Sequence, residues 1–78
     1  EVNLIIHSDD RNYLLSDIVT TLQQCNVYLK HVDSAVDDGN LEATTKLTVS
    51  VKNAAHLQNL ISNLKKVRSV NEVIRTIQ

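Results

Sequence analysis

Val2, Leu4 and Ile6 recur with period two, the spacing of one face of a β-strand, and Ile5 between them points to the opposite face. A polar loop from Ser8 to Asn12 ends that pattern. Leu14, Leu15, Ile18, Val19 and Leu22 then follow at helical spacing and predict an amphipathic helix ending near Cys25 or Asn26. Asp10 is its expected N-cap, because a carboxylate there can accept from the unpaired amides of the first turn.

Beyond this helix the spacing loosens. Val27 and Leu29 share one parity while Val32 and Val36 share the other, which predicts either a bulge or a strand only partly covered. Asp-Asp-Gly-Asn, residues 37–40, holds the chain's one glycine and reads as a hairpin connection. The next strand alternates cleanly. Ala43, Thr45, Leu47, Val49 and Val51 share one face, and Glu42, Thr44, Lys46, Thr48, Ser50 and Lys52 share the other, as in a half-buried strand. Asn53 is the expected N-cap of a second helix with the stripe Leu57, Leu60, Ile61, Leu64 and Val67. Lys65, Lys66 and Arg68 gather at its C-terminal end, where the helix dipole favours cations. A last strand runs from Val70 to Ile77. Leu14 and Leu57, Ile18 and Ile61, and Val27 and Val70 are each 43 positions apart, so the two halves echo one another. The reading is α+β: a ferredoxin-like βαββαβ chain, with a four-stranded antiparallel sheet, both helices on one face, and the first and third strands central.

Composition narrows the picture. A chain of 78 residues is one domain with a modest core, able to bury only about 60% of its unfolded surface. It has no Pro, Met, Trp or Phe and only two Tyr, so the core must come from Leu, Ile, Val and Ala. The chain opens on Glu1 rather than methionine, and residues 1–78 are expected to be a piece of a larger multidomain protein. Eight basic residues against nine acidic give a net charge of −1, which argues against nucleic-acid binding by charge alone. Cys25 is the single cysteine; it excludes an internal disulfide and fits a reducing, cytoplasmic setting. No apolar run reaches the roughly 18 residues that span a membrane.

Candidate chemistry is sparse. His7, His31 and His56 fall on the first strand, the second strand and the second helix, without the spacing of a structural metal site. With one glycine there is no phosphate-binding loop, and no serine or cysteine stands in a nucleophile elbow. Asp9, Asp10 and Asp17 flank one helix start, but a two-layer domain of this size offers little cleft for paired catalytic carboxylates. RNA-recognition domains share this element order and stack bases on aromatic rings of the open sheet face; the outward positions Asn3, Ile5, His7, Thr44, Lys46 and Thr48 carry none. Lys65, Lys66 and Arg68 could touch phosphate within a larger ribonucleoprotein, but at a net charge of −1 a solvated helix end is the preferred reading.

The segment Asp-Arg-Asn-Tyr-Leu-Leu-Ser-Asp-Ile, residues 10–18, resembles the Asp-Arg-x-Gly-Leu-Leu-x-Asp-Ile loop of the ACT domains, small βαββαβ regulatory modules attached to many metabolic enzymes. The C-terminal half, residues 45–75, is similar to the ACT domain that ends the RelA/SpoT-type (p)ppGpp synthetase/hydrolases. That resemblance implies a non-catalytic regulatory domain with no cofactor and no metal. Its parent would be a GTP pyrophosphokinase of the stringent response, moving pyrophosphate from ATP to GTP or GDP, and hydrolysing the product in bifunctional members. The domain would relay a starvation signal from the ribosome and tRNA to the catalytic domains. It also implies that Asp10, Arg11, Asn12, Tyr13 and Leu14 form the ligand- or partner-binding loop. Ile5, Lys65, Lys66 and Arg68 are a candidate partner surface, and a homodimer is a further possibility.

One position departs from the pattern. Amino-acid-binding relatives place glycine where Tyr13 stands, so that a ligand can reach backbone amides beside the helix start. A phenol there is expected to fill or cover the recess and turn it into a contact surface; the plainer alternative is a half-exposed ring resting on its neighbours. Two other functions stay open: an amino-acid-binding allosteric module of a metabolic enzyme, and an oligomerisation module.

Overall fold

The computed structural model describes residues 1–37, 39 and 41–76. Its elements are β1 (Val2–Asp9), α1 (Leu14–Gln24), β2 (Tyr28–Asp37), β3 (Glu42–Ser50), α2 (Ala54–Lys65) and β4 (Val70–Thr76). This is the βαββαβ order that the spacing predicts. Asp38 and Asn40 of the hairpin, and Ile77 at the expected end of the last strand, lie outside the described residues. The strands form one sheet in the order β2-β3-β1-β4, with every pairing antiparallel. β1 and β3 are central because they alternate most strictly between apolar and polar.

One sheet face and the two helices make the core. β1 contributes Val2, Leu4 and Ile6, β3 contributes Ala43, Leu47 and Val49, and Leu14, Ile18, Leu22, Leu57, Leu60 and Leu64 descend from the helices. Each such aliphatic side chain contributes about 1.5–3 kcal/mol on burial. The stripe on α1 is narrower than expected. Leu15 is 41% exposed and Val19 only half-buried. Residues 14, 18 and 22 stay in line along the helix, whereas 15 and 19 sit about 100° round it, past the reach of the sheet. Ile61 on α2 and Val67 just beyond its end pack against the core as expected.

The opposite face is uncovered, and the pairing registers lay it out in rows. His31, Thr48, Asn3 and Thr76 form one row, Asp33, Lys46, Ile5 and Ile74 the next, and Ala35, Thr44, His7 and Glu72 the third. Ile5 is half-buried rather than exposed, since Ile74 stands directly opposite it on β4. The expected irregularity in β2 is present, with the register shifting between Leu29 and His31.

Helix ends decide how the loops run. Asn53 caps α2, its Oδ1 accepting from the His56 amide at 2.8 Å. The same His56 ties α2 to α1: Nδ1 accepts from the Lys52 amide at 3.1 Å, and Nε2 lies 2.6 Å from the Cys25 carbonyl. At the end of α1 the Asn26 amide reaches the Gln23 carbonyl at 3.1 Å and the Val27 amide the Leu22 carbonyl at 3.2 Å, with Asn26 at φ 56°. This double closure satisfies the last carbonyls. The expected cap at Asp10 is not found. α1 begins at Leu14 with Tyr13 in the cap position, and no side chain caps it. Asp10 is too far upstream, and its own amide is drawn to the hairpin, donating to the Leu41 carbonyl at 2.9 Å.

Candidate functional site: the loop between β1 and α1

Hydrogen bonds tie the loop at residues 10–13 to two other connections. On one side it meets the hairpin through Asp10 and Leu41. On the other it meets the α2–β4 connection, where the Asp9 amide donates to the Ser69 carbonyl at 2.9 Å and Asn71 Nδ2 to Asp9 Oδ1 at 3.2 Å. Arg11 makes the strongest link. Its Nε and Nη2 donate to the Arg68 main-chain carbonyl at 3.2 and 3.0 Å, Nη1 to the Asn12 carbonyl at 3.0 Å, and Nη2 to Asp17 Oδ2 at 2.7 Å. A planar guanidinium suits this work because its donors diverge in fixed directions. Arg11 therefore positions the loop and is spent on intramolecular contacts.

Tyr13 adopts φ 66° and ψ 12°, in the left-handed region. For a residue with a Cβ this costs roughly 1–2 kcal/mol, a cost glycine would not carry. The ring does not fill the recess: Tyr13 is 79% exposed, so it neither covers the loop nor rests on its neighbours. The chain turns into α1 through this left-handed residue, and its side chain stands in solvent. Leu41 repeats the arrangement at φ 55° and 66% exposure.

The structure thus gathers Asp10, Arg11, Asn12, Tyr13 and Leu14 with the main chain of Arg68. Lys65, Lys66 and the Arg68 side chain are exposed at the end of α2. Ile5 is elsewhere, on the uncovered sheet face, beside a depression of about 220 Å³ that Asn3, His31, Lys46 and Thr48 also line. Two contributors escape sequence reasoning. Leu41 carried a signal, as an aliphatic residue in an otherwise polar turn; Asp17, the partner of Arg11, looked like an ordinary first-turn acid. Among the described residues no group of three or more His, Cys, Asp or Glu is placed to hold a metal ion, and no helix is long and apolar enough to cross a membrane.

A four-stranded antiparallel sheet with two helices on one face and a tightly tied loop ahead of α1 is the ferredoxin-like architecture of small regulatory modules. The chain belongs to the ACT domain family, whose profile matches residues 1–75. Among solved structures it is similar to the crystal structure of the ACT domain from the GTP pyrophosphokinase of Chlorobium tepidum, with 25% identity, TM-score 0.84, and 96% of this chain and 95% of that one covered. The solution structure of the same domain aligns at 25% identity and TM-score 0.82, covering 99% and 85%. A homoserine dehydrogenase from Thiobacillus denitrificans shares the fold at 17% identity and TM-score 0.73, with 95% of this chain matching 16% of that enzyme. No curated protein matches this chain in sequence.

Proposed function

We propose that this chain is the regulatory ACT domain of a GTP pyrophosphokinase of the RelA/SpoT type, which relays a starvation signal from the ribosome and tRNA to catalytic domains elsewhere in its parent. The observation that carries this reading is the likeness, over nearly the full length of both chains, to the ACT domain of the Chlorobium tepidum GTP pyrophosphokinase. Contacts at the Asp10–Leu14 loop and at Lys65, Lys66 and Arg68 would favour one of two states of the parent, by no more than their difference in affinity for the two. Deleting residues 1–78 from the parent should uncouple (p)ppGpp synthesis from amino-acid starvation; regulation that survives the deletion defeats the reading.

A second reading, an amino-acid effector site, is favoured by one observation: the Tyr13 ring stands out in solvent and leaves the loop uncovered. It predicts amide shifts at Asp10 to Leu14 when the chain is titrated with the common amino acids, and no shift removes it.

A further inference from the structure

Four residues other than glycine take positive φ: Tyr13, Asn26, Leu41 and Ser69. Asn26 and Ser69 are small and polar, in the connections that follow α1 and α2, where a left-handed residue is ordinary. Tyr13 and Leu41 are bulky, sit in a backbone conformation that disfavours a Cβ, and hold large apolar groups in water, at 79% and 66% exposure. The Asp10 amide donates to the Leu41 carbonyl, so both side chains belong to one end of the domain. Neither adds to the core, and binding is the usual reason such strain and exposure persist.

The charges at this end fall on two flanks. Strand order puts the β2–β3 hairpin and the α2–β4 connection on opposite sides of β1, with the β1–α1 loop leaving between them. Toward the hairpin, Glu42 is exposed and lies directly across from exposed Asp9, with exposed Asp10 next in the chain. Asp37 accepts from the Gly39 amide at 3.0 Å, Asp9 accepts from Asn71, and Arg11 is paired with Asp17. On the other flank Lys65, Lys66 and Arg68 are exposed, and none is in an ion pair among the described residues. Glu72 stands further back on the uncovered sheet face, opposite His7. A wholly basic partner would meet like charge at the lysines, and a wholly acidic one at the carboxylates.

We propose that this end of the domain is the contact surface for a second copy of the chain, related by a two-fold axis perpendicular to the sheet at the β1–α1 loop. Two copies then meet end to end with their helices on the same side, and the hairpin flank of each faces the α2 end of the other. Asp10 and Glu42 of one copy lie against Lys65, Lys66 and Arg68 of its partner, and the same contact is made a second time in reverse. Tyr13, on the central loop, gains an apolar surface for its ring. Leu41, on the hairpin, meets the aliphatic stems of the partner's lysines.

The test is sedimentation equilibrium of the 78-residue chain over a concentration series. The chain should form a dimer that added salt weakens. Tyr13→Gly and Leu41→Asn should each raise the dissociation constant by about tenfold or more. Both substitutions suit left-handed backbone, so both variants stay folded. Asp10→Lys with Glu42→Lys should abolish the dimer, and so should Lys65→Glu with Lys66→Glu, because each sets like charges together in both halves of the contact. Mixing these two double variants should give a heterodimer. Combining all four changes in one chain exchanges the flanks and should restore the homodimer. Tyr28→Ser, at the opposite end of the sheet, should associate like the parent sequence. A chain that stays monomeric throughout, a dimer indifferent to both loop substitutions, double variants that do not associate when mixed, or a folded four-residue exchange that stays monomeric overturns the proposal. The regulatory reading is tested by the deletion from the parent, and stands or falls without this dimer.

Discussion

The Arg11 guanidinium donates twice to the main-chain carbonyl of Arg68, at 3.0 and 3.2 Å, across 57 residues of sequence. This pair closes the end of the domain where the β1–α1 loop and the α2–β4 connection meet. Arg11→Ala should lower unfolding free energy by about 1–3 kcal/mol, the range for hydrogen bonds made by a charged group. Arg11→Lys should recover only part of it, because an ammonium cannot reproduce the diverging fork. Urea unfolding of the two variants checks both. The Arg11–Asp17 ion pair is half exposed on its acidic side, so Asp17→Asn should cost less than Arg11→Ala.

Tyr13→Gly should stabilise the domain. Removing the Cβ relieves roughly 1–2 kcal/mol of left-handed strain, against about 0.5–1 kcal/mol for glycine's extra freedom when unfolded. The net is a gain of up to about 1.5 kcal/mol in urea unfolding. A loss of stability would mean that the exposed ring has a partner within the chain.

His56 should carry its proton on Nε2. Nδ1 faces the Lys52 amide, which can only donate, so Nε2 is left to donate to the Cys25 carbonyl. Nitrogen shifts of the ring at neutral pH distinguish the two tautomers. His56→Ala should cost about 1–2 kcal/mol for the two bonds lost, one to the end of α1 and one to the Lys52 amide ahead of α2; a protonated Nδ1 would refute the arrangement.

Equivalent positions in the two halves should differ sharply. Ile18 is fully buried whereas Ile61 is half-buried, although both answer to the same repeat. Ile18→Ala should cost about 2–5 kcal/mol through the cavity it leaves, a large share of the roughly 4–12 kcal/mol expected for a chain of this size. Ile61→Ala should stay under about 2 kcal/mol. Equal losses would mean that α1 and α2 bury their stripes alike.

Glu1 and Lys30 form an ion pair that links the start of β1 to the bulge of β2. The hydrogen bond and charge of Lys30 hold the Glu1 carboxyl below its ordinary range, and those of Glu1 raise the Lys30 ammonium. The pair therefore stabilises the fold above the unfolded pKa of the carboxyl and below that of the ammonium. Its contribution is lost as pH falls through the folded value of Glu1 or rises through that of Lys30. NMR titration of Glu1 should give a midpoint that moves up in Lys30→Gln and also in high salt; a midpoint indifferent to both would show the pair absent in solution.

Much of the fold was legible from spacing. Val2, Leu4 and Ile6, and the alternation from Ala43 to Val49, mark the central strands because a side-chain period of two leaves only one face to bury. The bulge near Lys30 showed as a parity change between Leu29 and Val32. The site was legible only in part. The loop could be located, yet the cap expected at Asp10 moved to Tyr13, because the hairpin claims Asp10's amide through a contact 31 residues away in the chain.

Local chemistry by itself determined the order of elements, the Leu14, Ile18 and Leu22 ridge of α1, the Leu57, Leu60 and Leu64 ridge of α2, the Asn53 cap and the aliphatic character of the core. These depend on neighbours within a few residues, where period and side-chain type are enough. Only the tertiary structure decided that Arg11 grips the Arg68 carbonyl, that Ile5 shelters beside Ile74, and that Tyr13 and Leu41 stand out together from two joined loops. Backbone carbonyls leave no mark in a sequence, and the sign of φ at a residue with a Cβ is set by where the chain must turn to meet the rest of the sheet.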